Sequence, residues 1–278
     1  ASNNTAVGNA ALFANTTGTR NVAVGSTTLD ANTTGNYNVA VGHNAAGATT
    51  TGSSNVVIGD YAFNANTTGG SNVALGKNAL GANTTASNNT AVGHLALEAN
   101  TTGQYNVAVG AYALDLSTTT SNNTAVGYNA MTATVGAGNV AVGYEALGQN
   151  TTGTSLVAVG ALAMDANTTG ASNVAIGRNS LGVNTTGSTN TAVGDKTLSA
   201  NTTANNNVAV GYQALEANTT GTQNIGIGSY ALDSNTTAAN NVGVGHSSLT
   251  ANTTGANNVA VGSNALDSNT TGAANVAI

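Results

Sequence analysis

A glycine returns every 17 residues from Gly8 to Gly127, steps once by 16 residues to Gly143, and resumes the 17-residue spacing as far as Gly262. A strict period over a whole chain marks one small supersecondary unit stacked many times. Such a unit cannot bury its apolar side alone and does so only against its neighbours. The period argues against a globular domain with a private active site. It moves the expected function from chemistry towards length, surface and attachment.

Aligning the chain on this glycine sorts the other residues into slots. In Asn207-Val208-Ala209-Val210-Gly211 polar, apolar, small and apolar residues alternate, the period-2 pattern of a strand with one buried face. On hydropathy, Val208 and Val210 are expected to point inward, and Asn207 and Ala209 outward. Gly211 then turns the chain, because glycine enters φ > 0 without steric cost. Four residues past the glycine stands a second large apolar side chain, as at Leu29, Phe63, Met131 and Leu215, with Ala46 as the small exception. Asn-Thr-Thr follows and usually ends in Gly, a β-favouring pair before a second turn.

No apolar run keeps a 3.6-residue period for ten residues, and Gly recurs too often for helix. The expected fold is all-β: a parallel β-solenoid, or β-roll, of about 16 coils of 17 residues with two short strands per coil. Residues 1–278 read as one continuous repeat domain. Thr132-Ala133-Thr134-Val135-Gly136 replaces the usual turn and shortens one coil, so a local defect is expected over residues 132–139.

The slot between the two valines holds Ala23, Ala40, Ala74, Ala91, Ala108, Ala125, Ala209 and Ala260. Read as outward, this small apolar row is a candidate interchain stripe, because a solvent-facing strand position would drift to Thr, Lys or Glu. Variation collects at the turns. The two slots after the glycine, and the one before the strand, carry Tyr37, Tyr61, Tyr105, Tyr112, Tyr128, Tyr144, Tyr212 and Tyr230, the candidate surface-recognition residues. Equivalent slots in adjacent coils set Asp60 beside Lys77, Arg178 beside Asp195 and Tyr128 beside Tyr144.

Four Lys and Arg against ten Asp and Glu leave no basic patch for nucleic acid. Without Cys there is neither a disulfide nor a thiolate metal site. No window reaches the roughly 18 apolar residues of a membrane helix, so no membrane insertion is expected in this segment. The chain opens and stops within a repeat, which reads as a segment of something longer.

Carboxylates recur five residues past the glycine, with Glu98/Asp115 and Glu216/Asp233 on adjacent coils. That spacing approaches a retaining glycosidase pair, but no aromatic wall or partner base accompanies it. The three histidines lie at least three coils apart, so neither a catalytic centre, a metal site nor a cofactor is expected. Asn-Thr-Thr occurs 13 times and matches the N-glycosylation pattern, with Asn15, Asn32, Asn66 and Asn83 as possible acceptors. The same threonine rows could form an ice-binding plane.

Asn207-Val208-Ala209-Val210-Gly211 and Asn173-Val174-Ala175-Ile176-Gly177 resemble repeats in the heads of trimeric autotransporter adhesins. Asn123-Thr124-Ala125-Val126-Gly127-Tyr128-Asn129-Ala130-Met131 is similar to repeats of bacteriophage tail-fibre and related fibre proteins. The likeness covers essentially the whole chain. It implies a left-handed, trimeric β-roll serving as an extracellular, cell-surface or virion stalk and adhesive surface. The 17-residue period is longer than the usual adhesin-head repeat, and no neck or coiled coil is present. The expected function is a non-enzymatic fibre segment that partners itself as a homotrimer, and binds a cell-surface glycan or other surface. Solenoids stacked end to end into a filament, and an ice-binding or carbohydrate-active protein, are the alternatives.

Overall fold

The computed structural model describes residues 1–278. The chain divides into two compact units, residues 1–138 and 139–278, and the boundary falls at the short coil. In the first unit, β1 (Thr5–Val7), β2 (Val22–Val24), β3 (Val39–Val41), β4 (Val56–Ile58), β5 (Val73–Leu75), β6 (Thr90–Val92), β7 (Val107–Val109) and β8 (Thr124–Val126) pair in chain order. In the second, β9 (Val140–Val142), β10 (Val157–Val159), β11 (Val174–Ile176), β12 (Thr191–Val193), β13 (Val208–Val210), β14 (Ile225–Ile227), β15 (Val242–Val244), β16 (Val259–Val261) and β17 (Val276–Ala277) do the same. Every pairing is parallel and joins like slots, as in Ala91↔Ala108 and Val92↔Val109. Each unit is therefore a parallel β-solenoid, as the period requires, and it contains no helix.

Two expectations are corrected. First, the strand faces are reversed. Ala23, Ala40, Ala74, Ala91, Ala108, Ala125, Ala209 and Ala260 are fully buried inside the coil and so cannot form an interchain stripe. The flanking valines are half-exposed. Alternation separates two faces without saying which is inner, and here volume decides. The leucine four residues past the glycine, such as Leu215, already fills the interior. An ideal Cβ at Gly226 lies 3.3 Å from Leu215 Cγ, leaving room opposite for a methyl group and little more. Asn207 shares the parity of Ala209 and is buried with it.

Second, each coil holds one strand rather than two. Along Asn-Thr-Thr the donors converge instead of alternating. Thr33 N, Thr34 N and Thr33 Oγ1 all donate to the Thr50 carbonyl, at 2.9, 3.3 and 3.1 Å. A β ladder needs one donor per acceptor along the strand, so this segment stays irregular while remaining bonded to the next coil.

The coil closes through backbone that few side chains adopt. Leu215 has φ 55° and Gln213 φ 55°, and the equivalent slots repeat this in the other coils. The left-handed region costs an L-residue roughly 1–2 kcal/mol. The compensation is local: Leu215 is buried and its N–H donates to the Ala231 carbonyl of the next coil at 3.0 Å. The ruler glycine answers a tighter demand. Its φ lies between 130° and 146°. At Gly177 a Cβ would lie 2.2 Å from the carbonyl oxygen of Gly194 one coil on, and at Gly211 2.6 Å from that of Gly228.

Candidate functional surfaces

Two columns of buried asparagine line the interior. Before the strand, Asn207 N donates to Asn190 Oδ1 at 3.0 Å and Asn224 N to Asn207 Oδ1 at 2.9 Å. In the Asn-Thr-Thr turn, Asn218 Nδ2 donates to Asn201 Oδ1 at 3.2 Å and receives its counterpart from Asn235 Nδ2 at 2.9 Å. The columns meet at one carbonyl per coil: Gly221 O accepts from Asn207 Nδ2 at 2.9 Å and from Asn218 Nδ2 at 3.0 Å. Asparagine suits this because its amide carries two donors and an acceptor with two lone pairs, enough to bond both its own turn and a neighbouring coil.

This geometry overturns the glycosylation expectation for the folded chain. Asn32, Asn66 and Asn83 are fully buried. The Asn83 amide nitrogen bonds Asn66 Oδ1 at 3.1 Å and Ala86 O at 3.2 Å, so a glycan there would displace both. Asn15, in the first coil, is partly exposed, but its nitrogen is likewise committed to Gly18 O at 3.1 Å.

The short coil keeps the turn by substitution. Thr134 stands in the asparagine slot and accepts from Gly136 N at 3.0 Å. Asn123 Nδ2 still reaches Gly136 O at 3.1 Å. The irregularity lies in the turn, which closes over two residues instead of three; β8 and β9 retain their three residues.

The tyrosines stand on the turn edges, where the sequence places them. Tyr37, Tyr61, Tyr105, Tyr128, Tyr144, Tyr212 and Tyr230 are exposed, and Tyr112 is half-buried. Histidines join them in edge-to-face contacts between adjacent coils. His43 meets Tyr61 at 4.9 Å, His94 meets Tyr112 at 5.5 Å, and Tyr112 meets Tyr128 at 5.8 Å. Tyr212, Tyr230 and His246 form a third run. Tyr37 instead accepts a hydrogen bond from Arg20 at 2.7 Å.

Of the expected charge pairs, Arg178–Asp195 forms at 2.9 Å. Asp60 pairs with His43 at 3.3 Å rather than with Lys77, whose ammonium is left unpaired.

Two members of the carboxylate row are partly buried. Partial burial, with Glu98 on the adjoining coil adding to it, raises Asp115 above the ordinary carboxylate range. Burial raises Asp165 in the same way, with Glu145 as the added charge. Neither is joined by a base, and no group of three His, Asp or Glu residues is placed to hold a metal ion. No helix is long and apolar enough to cross a membrane.

Each unit also presents an outer strand face. Its two rows are Val, Thr and Ile before the buried slot and Val, Ile and Leu after it, without a charge in either row from β1 to β17. Val56, Ile58, Ile225 and Ile227 are exposed. This fold and this surface define a class, the parallel β-solenoid repeat protein with an apolar outer sheet. The chain matches no known family model and no curated protein.

Proposed function

We propose that this chain is a structural fibre segment, extracellular or virion-borne, that associates with copies of itself and serves as spacer and adhesive surface. The carrying observation is the uncharged outer face. Three residues per strand at about 3.3 Å, and strands about 4.8 Å apart, give roughly 400 Å² of uncharged outer sheet in each unit. Each is about half of the ~800 Å² per partner of a standard protein interface. A partner covering such a face must repeat at the coil spacing, and a second copy does so by construction. Three copies is the number the resemblance to trimeric adhesins supplies.

Sedimentation equilibrium of the full chain tests this reading. A closed oligomer, with three copies as the expected stoichiometry, supports it. A monodisperse monomer at micromolar concentration overturns it, and an open-ended ladder of masses replaces it with end-to-end stacking.

A further inference from the structure

The row five residues past the glycine is normally filled, and its fillers shape the turn edge. Four coils hold glycine there, at Gly47, Gly81, Gly148 and Gly182, and Gly47, Gly81 and Gly182 give different results. At Gly47 the side chain of Asn44 folds over the gap, with Oδ1 2.0 Å from where a Cβ would lie. At Gly81 and Gly182 no side chain closes the gap, and each leaves an open notch, of about 490 Å³ and 400 Å³ respectively.

The two notches share a shape and differ in chemistry. The Gly182 notch is lined by Asp165, Asn179, Val183 and Ser199, without an aromatic ring or a cation. The Gly81 notch is lined by Tyr61, Asn64, Lys77, Asn78 and Glu98. Asn64 and Glu98 occupy the same slot one coil to either side, so their Cα atoms stand about 9.6 Å apart, two coil spacings. Tyr61 is held in place: its ring packs edge-on against His43 at 4.9 Å, and His43 is itself bonded to Asp60 at 3.3 Å. Because Asp60 bonds His43, Lys77 keeps its donors free. No hydrogen bond or ion pair engages the Glu98 carboxylate.

A fixed aromatic wall, a free donor cation, a free acceptor carboxylate and two amides around one ring-sized gap match a particular chemistry. A sugar ring offers an apolar C–H face to an aromatic ring and a rim of hydroxyls that both donate and accept. The open side suits the end of a chain better than a small molecule, which a binding pocket would enclose on most of its surface.

We propose that the Gly81 notch binds a single hexopyranose at the end of a surface glycan. In this arrangement Tyr61 stacks on the ring, Glu98 accepts from hydroxyls, and Lys77, Asn64 and Asn78 donate to ring or hydroxyl oxygens. The proposal rests on the adhesive-surface reading above and gives it a ligand class.

The test is saturation-transfer NMR of the full chain with the methyl glycosides of glucose, galactose and N-acetylglucosamine. Saturable binding at about 1–10 mM is expected for at least one, an affinity fitting a small open site. G81Q fills the notch with a side chain of the kind found at this slot in neighbouring coils, and should weaken binding at least tenfold. Y61A, at an exposed position, should do the same, while G182Q should leave binding unchanged. Absence of saturable binding to all three sugars overturns the proposal, and so does binding that survives both G81Q and Y61A. Sedimentation of the same samples separates this result from the fibre reading, because loss of sugar binding leaves the oligomer intact and loss of the oligomer leaves the notch intact.

Discussion

The residue with the most demanding role is the turn asparagine, because it converts a narrow interior into a hydrogen-bonded one. A coil whose core is Ala, Ala and Leu buries too little apolar surface to offset the ordering of 17 residues unaided. The asparagine columns supply part of the balance, and they do so cooperatively, since each amide satisfies its neighbour. Removing one therefore takes a hydrogen bond from groups on both sides. In N218A the Oδ1 of Asn201 loses its donor, the Nδ2 of Asn235 keeps only Ala238 O, and Gly221 O retains only Asn207. Asn201 Oδ1 is the group left without a partner, and one buried orphan costs about 1–3 kcal/mol, so a local loss of that size is expected. In a solenoid stability is summed from nearest-neighbour terms, so the loss should be confined to adjoining coils. Hydrogen exchange checks this: protection should fall at the backbone amides of residues 201–235 and hold beyond about two coils in either direction. Uniform loss of protection through the unit would contradict the one-dimensional account.

At the scale of the coil, packing is a matching of two slots eleven residues apart. The buried strand slot of one coil faces the leucine slot of the coil before it, as Gly226 faces Leu215 and Gly243 faces Leu232, each at 3.3 Å from an ideal Cβ to Cγ. The same offset places Val57 against Ala46, the one coil where the large and small residues are exchanged. Both are buried, so the exchange conserves volume. A46L should overpack that coil and destabilise it by about 1–3 kcal/mol, while A46L with V57A should recover most of the loss. Urea denaturation of the two single variants and the double variant reads the coupling; additive effects would show that the two side chains do not meet.

That exchange was visible in the sequence, where Ala46 and Val57 are the odd members of their columns, but its meaning needed the offset between coils. The same limit explains what else could be read. The glycine period fixed the solenoid, the parallel register and the edge position of the tyrosines, because all three follow from spacing. Which strand face is inner did not follow. Hydropathy ranks Val above Ala and Asn for burial, yet the coil is too narrow for a valine opposite Leu215, and the amide network rewards burying Asn207. The Gly81 notch was hidden for a related reason. Its walls come from three coils, and Lys77 is free only because Asp60 turns to His43, a choice between two adjacent partners that slot spacing alone leaves open.

At the scale of the whole molecule, the reversal of faces determines what the chain can do with other copies of itself. Had the alanines faced outward, the outer sheet would be flat and the valines would be core. With the valines outside, two β-branched rows give each unit ridges that another apolar surface can cover. Neighbouring lysine substitutions separate the two arrangements. In V109K a half-exposed side chain is replaced, the lysine stem lies along the sheet and its ammonium reaches water, so the fold should lose little, within about 0.5–1 kcal/mol. The charge nevertheless stands on the face proposed to meet another copy, and on that proposal V109K combined with V210K should shift the sedimenting species to monomer at concentrations where the parent chain is associated. In A108K the substituted slot is fully buried among neighbouring coils, with no route to water. An unpaired ammonium there costs several kcal/mol, and the coil should open instead. Circular dichroism and sedimentation on the same samples read both outcomes: intact sheet with lost association for the valine variants, lost sheet signal for the alanine variant. Intact sheet in A108K would return the alanines to the surface, and undiminished association in the valine double variant would remove the outer strand face as the contact between copies.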